Sequence, residues 1–227
     1  MYQELKKQYD ALELNDKNVL LIYKSRLFKF INNIDDILSN RIVYDEYEKY
    51  FVEDKSIICS SENSFIRHSI FNSINFESYQ LFLESVKIVK DKLTDIKGKI
   101  HLPQDTIVYR ATTVSSKDEI DQISKGNFIS TSLDIDETDK FYRFSGIDVL
   151  YQIKLKKGTS CLVIPYSIGI YDINGKSVLK ILEDDSQSEI VLFKDELDYV
   201  INDYKYFEDE EITVVKIDTE PIMHNIK

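Results

Sequence analysis

The stretch EDDSQSEIVLF, residues 183–193, sets a polar, acidic entry against the apolar run Ile190–Phe193. Four such residues in succession, mostly β-branched or aromatic, read as a buried strand. If the strand starts near Gln187, its period of two puts Gln187 and Glu189 on one face and Ser188 on the other. An amide and a carboxylate then stand side by side at the strand's mouth. They face either solvent or a cleft in which a carboxylate does chemistry.

The surrounding chain gives this strand its neighbours. After Lys99 the sequence breaks into short β-rich pieces: TIVYRATT (106–113), GNFISTS (126–132), DVLYQIKL (148–155), SCLVIPY (160–166), EIVLF (189–193), LDYVI (197–201) and EITVVKI (211–217). Turn chemistry separates them, with Gly158 in KKGTS and the Asn174-Gly175 pair suited to a tight hairpin. Before Lys99 the period is helical. Leu20, Tyr23, Leu27, Ile31, Ile34 and Leu38 form one stripe, and Val43, Tyr47 and Phe51 a second. Phe82, Val86, Val89, Leu93 and Ile96 form the clearest. Such stripes are core. Helices followed by strands predict an α+β fold, with two packed antiparallel or mixed sheets and helices to one side. The expected division is a helical N-terminal region, 1–77, and a strand-bearing domain, 78–227.

Bulk properties exclude several classes. Of 227 residues, 43% are apolar and 30% charged, as in ordinary globular chains. Six Gly and three Pro leave no room for long flexible linkers. With 29 basic against 40 acidic residues, the net charge of −11 disfavours an approach to phosphates. The acid gathers at residues 183–189 and continues through Asp195, Glu196, Asp198, Asp203 and 208–211. It is either a solvated face or a docking surface for a basic partner. Cys59 and Cys161 form no disulfide framework and read as buried thiols. His68, His101 and His224 lack zinc-ligand spacing. DIDETD (134–139) starts like a calcium loop but has Asp139 where glycine belongs and Ser145 in place of the closing Glu. The amphipathic N-terminus is neither a signal peptide nor a membrane span.

Polar residues that interrupt the strands carry the candidate chemistry. Arg110 ends an apolar strand, where a charge needs a partner: an internal acid, or a phosphate that its planar fork would fit. In Ser130-Thr131-Ser132 the two serines share a face and Thr131 takes the other. These hydroxyls are either solvated or set to orient a carboxylate.

Arg110, then Ser130-Thr131-Ser132, then Gln187-Ser188-Glu189, each in a strand context, together resemble the mono-ADP-ribosyltransferases. Their signature is an Arg, a Ser-Thr-Ser strand and a Glu. The resemblance runs from about Leu93 to Ile217. DTIVYRATT and KGNFISTSLD look like the family's first two strands, and VLYQIKLKKGTSCLVIPYS like the following hairpin. QSEIVLF looks like the glutamate strand, and LDYVINDYKYFEDEEITVVKI like the closing hairpin. Two departures stand out: LFKDEL follows the glutamate strand where LPRG-like residues are common, and the segment between Ser167 and Gln187 is long.

The resemblance implies two packed sheets flanked by helices and an enzyme that splits the nicotinamide–ribose bond of NAD⁺, passing ADP-ribose to an acceptor. It implies Glu189 as the carboxylate at the ribose 2′-OH, Ser130 holding Glu189, and Arg110 on a phosphate. It places Thr131 and Ser132 at the nicotinamide pocket and the Ala111 backbone on the nicotinamide amide. Arg143 is a second phosphate contact with Phe141 or Phe144 stacking; the alternative is a surface charge beside core aromatics. NAD⁺ is the co-substrate and no metal is required. Gln187, where arginine-modifying relatives carry Glu, implies a non-arginine acceptor: an Asn or Gln side chain of a protein, favoured by the acidic C-terminal region, or a nucleobase. Lys87, Lys90, Lys92, Lys97 and Lys99, with Lys154, Lys156 and Lys157, offer a basic path for the latter. The expected setting is a cytoplasm, as a toxin or phage–host effector, with an inhibitory antitoxin or partner protein and no membrane. The rival reading is a catalytically inactive binding module of the same fold.

One expectation separates acceptor from co-substrate. Gln187 lies one strand repeat, ~6.5–7 Å, from Glu189 on the same face. Gln187→Ala should therefore depress transfer to the acceptor far more than NAD⁺ hydrolysis, since water needs little alignment. Rates of both reactions on one preparation check this, and equal losses would place Gln187 at the NAD⁺ site.

Overall fold

The computed structural model describes residues 1–39, 44–60, 64–124, 126–141, 146–173, 176–182, 189–208 and 211–221. Two compact units emerge, one of residues 11–97 and 166–183, the other of 1–10, 98–165 and 184–227. They do not follow the expected 1–77 and 78–227 division. Helix α6 (Tyr79–Asp95) packs on α3 (Phe28–Leu38), so it groups with helices. Helix α1 (Tyr2–Asp10) groups with strands instead. Its Gln8 amide exchanges two 3.0 Å hydrogen bonds with the main chain of His101, Oε1 accepting and Nε2 donating.

The helical unit holds α2 (Leu14–Ile22), α3, α4 (Tyr44–Ser60), α5 (Ser64–Phe71) and α6. The stripe read from α6 is buried from Phe82 to Ile96. The Ser78 side chain caps this helix by accepting from Leu81 N at 3.2 Å. Phe82 meets Phe30 edge-on, with ring centres 4.8 Å apart. A π-helical turn at Tyr23–Leu27 joins α2 to α3. At the end of α3 Ile37 is buried where the sequence stripe pointed to Leu38, which is 42% exposed. Strands β5 (Ser167–Ile173) and β6 (Lys176–Leu182) pair as an antiparallel hairpin. The sequence marked only its connection at Asn174-Gly175, which lies outside the described residues.

The strand unit carries one seven-stranded sheet in the order β4-β7-β2-β1-β3-β9-β8. These are β1 (Thr106–Val114), β2 (Phe128–Ser132), β3 (Ile147–Leu155), β4 (Cys161–Ile164), β7 (Glu189–Phe193), β8 (Leu197–Phe207) and β9 (Ile212–Pro221). Among the described strands only β3 and β9 run parallel. All seven strands belong to one hydrogen-bonded sheet, which is narrowest between β1 and β2. β1 pairs with β3 along its whole length, yet meets β2 at a single position, Tyr109↔Ser132. The expected β3–β4 hairpin does not form, because β4 crosses to pair with β7 while β3 stays between β1 and β9. The turn between them does use Gly158, at φ +87°. The closing β8–β9 hairpin is as anticipated.

Flanked on both sides by β2 and β4, strand β7 buries Ile190, Val191 and Leu192 completely. Consecutive residues point to opposite faces, so both faces of β7 are covered, and its sequence reads as an unbroken apolar run rather than an alternation. Cys161 is likewise buried, and burial pushes its thiol up to about 12, so it stays protonated and inert. The Cys59 side chain lies outside the described residues. No described helix is long and apolar enough to cross a membrane.

Candidate active site

Register alone sets the first feature of the site. Ser132 pairs with Glu189, Thr131 with Ile190 and Ser130 with Val191. Directly paired residues share a face, so Ser130, Ser132 and Glu189 lie on one side of β2–β7 and Thr131 on the other. Ser130, Ser132 and Glu189 are half-buried, whereas Thr131, Ile190 and Ile129 are buried. Ser130 Oγ donates to Glu189 Oε1. A short hydroxyl thus reaches the first residue of the buried strand and fixes its carboxylate.

Arg110 sits at the seam. Had the β1–β2 ladder continued past Tyr109↔Ser132, Ser130 would face Ala111. The ladder stops instead, and the Ser130 carbonyl accepts from Arg110 Nη1 at 2.9 Å. Arg110 Nε donates to the Ile123 carbonyl at 3.0 Å. The guanidinium thus links β1 to β2 through main-chain oxygens, a use that neither reading of the sequence anticipated. Arg110, Ser130 and Glu189 are connected by two hydrogen bonds in series.

The other expected residues divide. Ser132 stands opposite Glu189, and its Oγ accepts from Asp134 N at 3.0 Å. Ala111 is buried within the β1–β3 ladder, on the Tyr109 side of β1. Thr131 points away from the carboxylate and donates to the Ile190 carbonyl at 2.7 Å. Gln187, Arg143 and Phe144 lie outside the described residues, as does the side chain of Phe141.

Two neighbours were not singled out from sequence. Tyr109 pairs with Ser132 on one side and Gln152 on the other, so a row Gln152–Tyr109–Ser132–Glu189 crosses four strands on one face. All four are half-buried. Alternation in TIVYRATT sets Tyr109 and Arg110 on opposite faces, but only the pairing tells which residues Tyr109 meets. On the other face, Tyr151 is the cross-strand partner of Arg110. Burial pushes its phenol up to about 12, with the Arg110 cation pulling the other way. It therefore stays protonated at neutral pH and donates to the Ile120 carbonyl at 2.8 Å. Among the described residues no group of three or more His, Cys, Asp or Glu is arranged to hold a metal ion.

Neither a protein family nor a curated protein matches the sequence. Solved structures do. An ADP-ribosyltransferase of Clostridium botulinum is 14% identical with a TM-score of 0.51, over 96% of this chain and 92% of that one. The Vis toxin of Vibrio splendidus, an ADP-ribosyltransferase, is 10% identical with a TM-score of 0.51, over 97% and 82%. Vis in complex with an inhibitor is 12% identical with a TM-score of 0.53, over 100% and 83%. The chain has the fold of the bacterial ADP-ribosyltransferase toxins. The α+β architecture anticipated from the strand and helix periods is this fold, and the ADP-ribosyltransferase-like sheet carries Arg110, Ser130 and Glu189 on three successive strands, β1, β2 and β7.

The position of Thr131 yields a clean test. Thr131→Val removes a buried bond within β2–β7 and should cost about 1 kcal/mol of stability. Because the hydroxyl is engaged by the Ile190 carbonyl and not by Glu189, NAD⁺ cleavage should be unchanged. Urea unfolding beside nicotinamide release checks both, and a loss of cleavage with unchanged stability would return Thr131 to the nicotinamide pocket.

Proposed function

We propose that the chain is a mono-ADP-ribosyltransferase that cleaves NAD⁺ and transfers ADP-ribose to a macromolecular acceptor other than arginine. The observation that carries this reading is the Ser130–Glu189 hydrogen bond, set on the sheet of an ADP-ribosyltransferase fold beside the Arg110 seam.

The chemistry follows from where charge appears. Breaking the nicotinamide–ribose bond leaves positive charge on the ribose, as in glycoside hydrolysis. A carboxylate already fixed beside that ribose stabilises the charge without reorganising. Glu189 has this role, accepting from the ribose 2′-OH, while the Ser130 hydroxyl keeps the carboxylate in one orientation. Arg110 supplies a planar cation with five N–H donors, of which Nε and Nη1 anchor it to main-chain carbonyls. An anchored fork suits an anionic phosphate. Ser132, opposite Glu189, borders the nicotinamide side, and Arg143 provides a second phosphate contact.

For the acceptor, Gln187 favours a group that presents both a donor and an acceptor, such as the amide of an Asn or Gln side chain. The net charge of −11 favours a protein over a nucleic acid. A nucleobase is the second reading, supported by the ability of the same amide to pair with a base edge. The chain acts in a cytoplasm as a toxin or phage–host effector, and an inhibitory partner protein fits that role.

Glu189→Gln keeps the size of the side chain and removes its charge. Transfer of label from NAD⁺ into a cell lysate should fall by roughly 10²–10³, with the melting temperature close to wild type. In the wild-type reaction protease, not nuclease, should release the label. Near-normal labelling by Glu189→Gln would remove the assignment, and label released by nuclease would select the nucleobase.

A further inference from the structure

Residues 120–124 follow the short 3₁₀ turn Lys117–Glu119 and belong to no helix or strand. Their carbonyls therefore have no ladder to join. Ile120, Ile123 and Ser124 are nonetheless buried, and buried carbonyls need donors. Side chains provide them at every step. Tyr151 Oη donates to Ile120 O at 2.8 Å and leans towards Gln122 O at 3.4 Å. Tyr199 Oη donates to Asp121 O at 3.2 Å, Arg110 Nε to Ile123 O at 3.0 Å and Lys194 Nζ to Ser124 O at 2.5 Å. Tyr204 Oη adds a bond to the Asp121 carboxylate.

These donors come from β3, β8, β1 and the turn that follows β7. Lys194 also donates its main-chain N–H to Asn127 O at 3.0 Å, just ahead of β2. The segment is thus a strap across the sheet, tied to the ends of the strands that carry Ser130 and Glu189. A strap that only covered the core would need apolar contacts, which Ile120 and Ile123 supply. Its carbonyls do something further. Ile123 O takes one edge of the Arg110 guanidinium while Ser130 O takes another. Two acceptors fix the plane of a rigid fork, and the position of one of them is set by the strap.

We propose that residues 120–124 are a carbonyl strap that positions Arg110 for the dinucleotide, with Tyr151 and Tyr199 as positioning residues. This rests on the reading of Arg110 as a phosphate contact. Tyr151 and Tyr199 touch no substrate; they hold the Ile120 and Asp121 carbonyls, and so fix the strap whose Ile123 carbonyl takes the guanidinium.

Two readouts test the strap on Tyr151→Phe and Tyr199→Phe, which keep the rings and remove the donors. The first is proton exchange at Arg110 Nε–H, followed by NMR without any ligand; it should quicken at least tenfold. The second is steady-state kinetics: KM for NAD⁺ should rise at least fivefold with kcat within twofold, and should rise no further when the change is made in Arg110→Ala. Non-additivity of this kind marks shared action through Arg110. Unchanged exchange would overturn the proposal, as would an equal rise of KM in both backgrounds. Tyr199, half-exposed at the sheet edge, keeps the test open if the buried Tyr151→Phe chain does not fold. If the wild-type chain neither binds nor cleaves NAD⁺, the reading of the site fails, and Arg110 Nε–H exchange still decides whether the strap holds the guanidinium.

Discussion

A seven-stranded sheet that is joined across its middle by one residue pair needs something else at the joint, and Arg110 supplies it. Where the β1–β2 ladder stops after Tyr109↔Ser132, the guanidinium donates to the Ser130 carbonyl. Each hydrogen bond from a charged donor contributes about 1.5–3 kcal/mol, a large share of a marginal total. The same residue whose carbonyl closes the seam uses its hydroxyl to hold Glu189. Sheet closure and carboxylate placement therefore depend on one amino acid, Ser130, approached from its main chain and from its side chain.

This arrangement lets a low-identity sequence keep a fold. Likenesses of 10–14% identity extend over nearly the whole chain. Most core positions need only be apolar and of fitting size. The seam is less tolerant. A lysine at position 110 has no fork to span two carbonyls, and an alanine at position 130 keeps the carbonyl but loses the hydroxyl. The helical unit, by contrast, rests on interchangeable stripes and an aromatic cluster around Phe82.

What the sequence disclosed follows from the range of the interactions. The helical stripes from Leu20 to Ile34 and along α6 are local patterns, and they are buried as read. Period two in Ser130-Thr131-Ser132 put the serines together and Thr131 apart, and the register bears this out. The family resemblance gave Thr131 a pocket role, while the register sets its side chain on the face away from Glu189. Strand pairing was the least legible. Nothing within VLYQIKLKKGTSCLVIPYS says that its second half leaves the first to join β7, since that choice is made by partners about 30 residues further on. The carbonyl strap was invisible for the same reason: Tyr151, Tyr199 and Lys194 are ordinary residues until folding brings them to residues 120–124.

The most direct measurement of the account is nicotinamide release from NAD⁺ by the purified wild-type chain and by Ser130→Ala. The substitution leaves the carbonyl that Arg110 uses and removes only the hydroxyl that holds Glu189. The account predicts release by the wild type and a rate about tenfold or more lower in Ser130→Ala, the kinetic equivalent of one hydrogen bond to a charged group, with thermal unfolding little changed. No release by the wild type, or equal release by both chains, would contradict it.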